Sequence, residues 1–344
     1  MACGLRTARS PRAWASTTPN LAHPCRKEVR MSDLPRRVHL HEEGPREGFQ
    51  MEAGPIASAD KVRLIEALAR TGLREIQCVS FVNPGRVPGM ADAELVAQSI
   101  RKRQGVRYTG LWLNLRGMQR ALGTPLDIEG TVSISASEAF SVRNYGKGTA
   151  ALLDAQRTTL AFCVEHAIAV TRASVTTAFG CNLEGAICAA TVVERVSQLL
   201  GLMDEFGLPL PILRLADTVG WAQPNAIASA IGAVRERWPA LRLGLHLHDT
   251  RGTAMANALM GLQMGIDTFD SACAGLGGCP FAGHTGAAGN ICTEDLAFMC
   301  EEMGIDTGVD LEALIECARL AEQIVGHPLP GKLMRAGTLE RLRH

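Results

Sequence analysis

The chain has 344 residues, with 35 basic and 35 acidic side chains, and 47% of it is hydrophobic. Balanced charge argues against bulk attraction to nucleic acid or an anionic membrane, and no apolar run is long enough to span a bilayer. Eleven cysteines, an odd number with no CxxC pair, argue against a disulfide scaffold and a structural zinc site and suit a reducing compartment.

Residues 1 to about 30 carry Arg6, Arg9, Arg12, Arg26, Lys27 and Arg30, with no acid before Glu28. That composition fits an organelle transit peptide. Translation from Met31 is the plainer reading, since Pro11, Pro19 and Pro24 interrupt any amphipathic helix. Residues 1–35 are therefore expected to be a disordered or non-native extension. The expected location is cytoplasmic, or mitochondrial if the leader is genuine.

From Val38 onward, short apolar runs alternate with longer helical patterns. Strands are predicted at 38–43, 75–81, 108–114, 129–136, 173–179, 211–216, 242–248 and 267–274. Helices are predicted at 59–71, 91–103, 149–168, 189–206, 224–237 and 252–264. In the first of them Val62, Ile65 and Leu68 face inward, with Ser58 as cap and Gly72 as terminator. Eight strand–helix units over about 240 residues match a (β/α)8 TIM barrel. A doubly wound sheet is the alternative, but the first strand is not followed by Gly-x-Gly-x-x-Gly. Two more helices, near 293–303 and 309–325, complete a domain spanning 36–328, and 329–344 read as a C-terminal tail.

Barrel enzymes carry their chemistry at the C-terminal ends of the strands. In Leu241-Arg-Leu-Gly-Leu-His-Leu-His-Asp-Thr250, strand alternation puts His246 and His248 on one face. Two imidazoles followed by Asp249 can chelate a metal; alone, the pair could equally be satisfied core histidines with a capping acid. Other strand ends add Arg46 and Glu47, Ser80, Asn114 and Asp217, so ionisable groups gather at one end of apolar strands. Glu47 is the best carboxylate ligand, and Asn290 can add an amide oxygen. Arg46 can present a fork of donors to an oxyanion, or act as a structural clamp. The loop Gly275-Leu-Gly-Gly-Cys279-Pro-Phe-Ala-Gly283 combines mobility with a thiol.

In combination these motifs resemble the 3-hydroxy-3-methylglutaryl-CoA lyase family, metal-dependent barrel lyases related to Claisen-type synthases. The resemblance rests on Glu43-Gly-Pro-Arg-Glu-Gly-Phe-Gln50, Ser80-Phe-Val-Asn-Pro84, Asp217-Thr-Val-Gly220, His246-Leu-His-Asp-Thr250, Ala274-Gly-Leu-Gly-Gly-Cys-Pro280 and Gly289-Asn-x-x-Thr-Glu-Asp295. It implies Mg²⁺ or Mn²⁺ held by Glu47, His246, His248 and Asn290, with Arg46, Cys279 and Asp217 catalytic. Gln50, Gln77, Ser80 and Asn114 would contact substrate. It further implies an acyl-CoA substrate, a homodimer or higher homo-oligomer, and a retro-Claisen reaction of the kind used in leucine degradation. Three positions depart from the family pattern: Glu47 replaces an Asp, Gln77 an acid and Ser174 a Tyr. The acyl group could therefore be hydroxymethylglutaryl or a close analogue such as citramalyl. A condensing synthase or aldolase on the same barrel, or a barrel that has lost catalysis and only binds, are the competing readings.

Overall fold

The computed structural model describes residues 34–52, 54–209, 212–277, 289–339 and 343. Among them, eight parallel strands curl into one sheet: β1 (His39–Glu42), β2 (Glu75–Ser80), β3 (Arg107–Leu111), β4 (Gly130–Ser135), β5 (Val170–Thr176), β6 (Ile212–Asp217), β7 (Leu243–Leu247) and β8 (Thr268–Ser271). Each lies where the apolar runs predict it, and the long helices alternate with them as expected. Two shorter helices, Leu115–Leu122 and Glu138–Tyr145, fall in stretches the sequence reading left unassigned. Asn114 and Ser137 cap them, accepting from the amides of Gly117 and Phe140 at 3.0 Å each.

The strands follow the order β3-β2-β1-β8-β7-β6-β5-β4, so the first strand pairs with the last, with His41 opposite Asp270. Among the described residues no ladder joins β3 to β4. The seam is held below by Asp127, whose amide donates to the Tyr108 carbonyl and whose carboxylate accepts from the Tyr108 amide, both at 2.7 Å. Higher up, Gln156 on the helix Thr149–Glu165 replaces the missing neighbour. Its Oε1 accepts from Ser133 N at 2.5 Å and its Nε2 donates to Ser133 O at 2.7 Å. One side-chain amide thus satisfies the exposed edge of β4.

Side chains alternate across each strand. Val132, Ile134, Ala173, Val175, Leu213, Leu215, Leu245 and Leu247 are buried in the core cluster. Burying each such Val, Ile or Leu is worth roughly 1.5–3 kcal/mol. The inward positions differ from the branched aliphatic layers usual in such barrels. Arg172 on β5 crosses the lumen, its Nη1 3.0 Å from Glu43 Oε1, its Nη2 3.0 Å from Glu75 Oε1 and its Nε 3.3 Å from Glu129 Oε1. Arg214 on β6 donates from Nε to Asp270 Oδ1 on β8 at 2.7 Å. The barrel is cross-braced by buried ion pairs.

The start of the segment read as a C-terminal tail from 329 packs against the barrel. Leu329, Leu333 and Met334 are buried, and Asp295 accepts from the amides of Lys332 and Leu333. Among the described residues, no helix is long and apolar enough to cross a membrane.

Candidate metal centre and active site

Beyond β1 the chain makes one π-helical turn, Gly44–Gly48, of the kind that concentrates at functional sites. Glu42 fixes its start: Oε1 accepts from Gly44 N at 2.8 Å and from Cys273 N at 2.9 Å, and Thr293 Oγ1 donates to Oε2 at 2.7 Å. A Cβ on Gly44 would stand 2.5 Å from Glu42 Oε1, so this close approach needs glycine. The turn presents Arg46 and Glu47 together, Arg46 Nη1 lying 2.7 Å from Glu47 Oε2.

Opposite them, β7 delivers the two histidines. Glu47, His246 and His248 each offer a ligand atom, all within 4.8 Å of one another. His248 Nδ1 lies 2.8 Å from the Asp217 backbone carbonyl, which fixes the tautomer with its proton on Nδ1. The lone pair on Nε2 then faces Glu47 Oε1 at 2.9 Å, two acceptors head-on that require a cation between them or a proton. His246 turns Nδ1 toward Asp270 Oδ2 at 3.5 Å, and its Nε2 lies 3.9 Å from Glu47 Oε1. Burial opposes charge on His246, yet the Asp270 contact and the carboxylates of Glu47 and Glu43 push its pKa up to about 9. Burial likewise opposes ionisation of Glu47, but Arg46 and then the two histidines hold its pKa well below the usual carboxylate range.

The segment after β8 supplies a fourth donor. Ile291 N donates to Leu247 O at 2.8 Å and Asp249 N to Gly289 O at 2.7 Å, and His248 bridges Asn290 in antiparallel fashion. Asn290 Oδ1 is buried without a hydrogen-bond partner among the described residues, an orphan acceptor that a hard divalent ion would satisfy. Gly277 (φ +101°) is the neighbour that makes this fit: a Cβ there would lie 2.9 Å from Asn290 Nδ2 and 3.6 Å from Glu47 Cγ. Gly277→Ala is therefore expected to lower the melting temperature by several degrees and to weaken Mn²⁺ binding, read by thermal melts with and without Mn²⁺. A melt unchanged in both would contradict this packing.

The remaining predicted residues separate. Gln77 accepts from Arg46 Nε, while Glu43 Oε2 accepts from Arg46 Nη2 at 2.5 Å. Gln77 thus keeps a contact with Arg46 without a charge, and the carboxylate on Arg46 Nη2 comes from Glu43, just after β1. Burial would raise the Glu43 pKa, but Arg46 and His41 hold it at about 2. Gln50, Gln77 and Asn114 line a cavity of about 340 Å³ over the site, together with Arg46, Glu47, His246 and His248. Ser80 is fully buried and outside that lining. Asp217 is also outside it: Oδ1 accepts from the Trp221 and Ala222 amides, so it reaches the site only through its carbonyl on His248. Asp249 does not ligate but caps the next helix, accepting from Ala254 N at 2.9 Å. Cys279 lies outside the described residues. Its loop departs from Gly277 and returns at Gly289, both beside the cluster. Sequence reasoning missed Asp270, Glu43 and Arg172; strand alternation from His246 through the β7–β8 register could have found Asp270.

A second acidic cluster, His41, Glu43 and Asp270, is already engaged by Arg172 and Arg214. A third, Cys292, Glu294 and Asp295, is a poor anion set, because burial raises Cys292 well above its usual range and Glu294 to about 7.

Comparison with known proteins agrees with this geometry. The HMGL-like family model matches residues 37–321. The hydroxymethylglutaryl-CoA lyase YngG of Bacillus subtilis (strain 168) is 40% identical over 306 residues, covering 87% of this chain and 96% of that protein. The crystal structure of the Bacillus subtilis HMG-CoA lyase superposes with a TM-score of 0.81 at 38% identity, covering 88% of this chain and 98% of that one. An Acinetobacter baumannii HMG-CoA lyase in complex with coenzyme A and 3-methylmalate gives 0.79 at 35% identity, covering 89% and 96%. With its barrel, its histidine pair and its glycine-flanked loop, the chain belongs to the HMGL-like family.

Proposed function

We propose that this chain is a divalent-metal-dependent carbon–carbon lyase that cleaves a 3-hydroxyacyl-CoA, hydroxymethylglutaryl-CoA or a close analogue, into acetyl-CoA and a keto acid. The carrying observation is the Glu47–His246–His248 cluster beside Arg46, at the C-terminal mouth of the barrel and lining one cavity. The relatives named hydroxymethylglutaryl-CoA lyases, one of them bound to coenzyme A and a hydroxy dicarboxylate, support the same reading.

Glu47, His246, His248 and Asn290 would hold Mg²⁺ or Mn²⁺. When bound, the ion supplies Lewis acidity that lowers the pKa of the substrate hydroxyl. The chain's own groups set the rest. Loss of the hydroxyl proton turns C3–OH into a ketone as the C2–C3 bond breaks, and the electron pair passes to C2 and the thioester oxygen. Arg46 is fixed by Glu43, Gln77 and Glu47, so its guanidinium is preorganised for the oxyanion that develops there. Protonation at C2 completes acetyl-CoA, and we assign that acid/base work to Cys279. A chelator should abolish acetyl-CoA release, and Mg²⁺ or Mn²⁺ should restore it. Full activity in chelator would overturn the proposal.

A further inference from the structure

Barrel enzymes keep their chemistry at the C-terminal mouth, and the opposite end usually serves stability. Here the N-terminal mouth holds a second cavity, of about 300 Å³, lined by residues at the starts of the strands. Arg37 lies two residues before β1, Arg74 immediately before β2 and Arg242 immediately before β7, while Arg107 opens β3. These strands belong to one arc of the sheet, β3-β2-β1-β8-β7, so strand order gathers four arginines that are far apart in sequence. Arg214 on β6 is a fifth lining residue.

Among the described residues that line this cavity, Glu75 is the sole carboxylate, and it is already engaged. Its Oε1 lies 3.0 Å from Arg172 Nη2 and its Oε2 3.5 Å from Arg107 Nη1. Burial opposes its ionisation, but His41, Arg172, Arg107 and Arg214 hold its pKa at about 2. Arg107 is occupied too, its Nη2 lying 2.8 Å from Glu129 Oε2. The other four arginines keep donors to spare. Arg37 and Arg242 are exposed and each has one long contact, with Asp306 at 3.4 Å and Asp267 at 3.5 Å, of a kind worth little. Arg74 is exposed, and its side chain has no ion-pair partner among the described residues.

Arg214 is the buried member, only 7% exposed. It passes over Gly244, where a Cβ would lie 3.4 Å from its Cγ, and donates from Nε to Asp270 Oδ1. Neither Nη has a partner among the described residues, a state that buried donors rarely keep. Its charge acts on Glu75, which lines this cavity and not the one over the metal cluster. A cleft lined by one sign of charge focuses its field on a counter-ion, and guanidinium forks match the paired oxygens of phosphate and carboxylate.

We propose that the N-terminal mouth of the barrel is a binding site for a small multivalent oxyanion, a phosphate or a polycarboxylate, held by Arg74, Arg214 and Arg242 and separate from the active site. The test is calorimetry on the Mg²⁺-loaded full chain at fixed ionic strength, with inorganic phosphate in one arm and tricarballylate in the other. At least one should bind with a dissociation constant below about 1 mM, and the tighter arm identifies the class of oxyanion. Arg214→Met should weaken that binding roughly 10- to 100-fold, the range of a charge-assisted hydrogen bond. Arg74→Gln and Arg242→Gln change exposed side chains that line this cavity alone, so they spare the fold, and each should weaken binding severalfold. Arg46→Gln, at the other mouth, should leave the affinity unchanged. Failure of both anions to bind, binding unmoved by the Arg74 and Arg242 variants, or binding lost with Arg46→Gln would overturn the site.

Discussion

His248→Ala should remove Mn²⁺ binding and acetyl-CoA release together, while the protein remains folded. His248 is the residue on which the cluster converges: its Nδ1 is fixed by the Asp217 carbonyl, its Nε2 meets Glu47, and its backbone bridges Asn290. Loss of a group that merely orients a metal ligand typically costs 10- to 100-fold in metal affinity. Loss of the ligand itself should exceed that. Titration of Mn²⁺ followed by electron spin resonance measures affinity directly, and far-ultraviolet circular dichroism checks the fold. Retention of wild-type Mn²⁺ affinity would remove His248 from the ligand set. Asp270→Asn is the graded companion, because Asp270 faces His246 Nδ1 without lining up as a ligand; its loss should fall within that 10- to 100-fold range.

The second large effect concerns stability. Arg172→Ala should cost about 3–5 kcal/mol, the usual penalty for removing one partner of a buried ionic network. Arg172 contacts Glu43, Glu75 and Glu129 in the lumen. Without it, Glu43, Glu75 and Glu129 lose their shared buried cation and keep only Arg46 and the more exposed Arg107 at their edges. A shift of about 2–4 °C per kcal/mol in a domain of this size predicts a melting temperature lower by roughly 10 °C. The exposed pair of Arg157 with Glu205 is the control, and Arg157→Ala should leave the melt unchanged. Equal shifts for the two variants would show that the lumen network does not brace the barrel.

How much of this was legible in the sequence follows from where each signal lives. Outward strand positions repeat apolar residues every second place, so the eight strands stood out. His246 and His248 were legible for the same reason, as polar residues breaking the alternation on one face. Arg172, Arg214 and Asp270 break it too, but each meets its partner on a strand far away in sequence: Arg172 and Glu43 are 129 residues apart, and Arg214 and Asp270 are 56 apart. Only barrel register brings them together. The side chain of Asp217 was misplaced because alternation was not carried to the last residue of β6, where Ala216 faces the cavity and Asp217 does not. The docking of Leu329, Leu333 and Met334 was invisible because three apolar residues in a short span carry no period.

The seam between β3 and β4 gives the barrel a soft direction. Spreading any other pair of adjacent strands breaks a backbone ladder. Between these two no such ladder exists among the described residues, and near Ser133 the edge of β4 is met by Gln156 of the helix that follows it, not by β3. Leu111, Thr131, Ser133 and Gln156 also wall the substrate cavity, so breathing along this line changes the volume available to the acyl group. The sheet is thus laddered on both sides of the strand that carries His246 and His248, and lacks a ladder along one wall of the cavity.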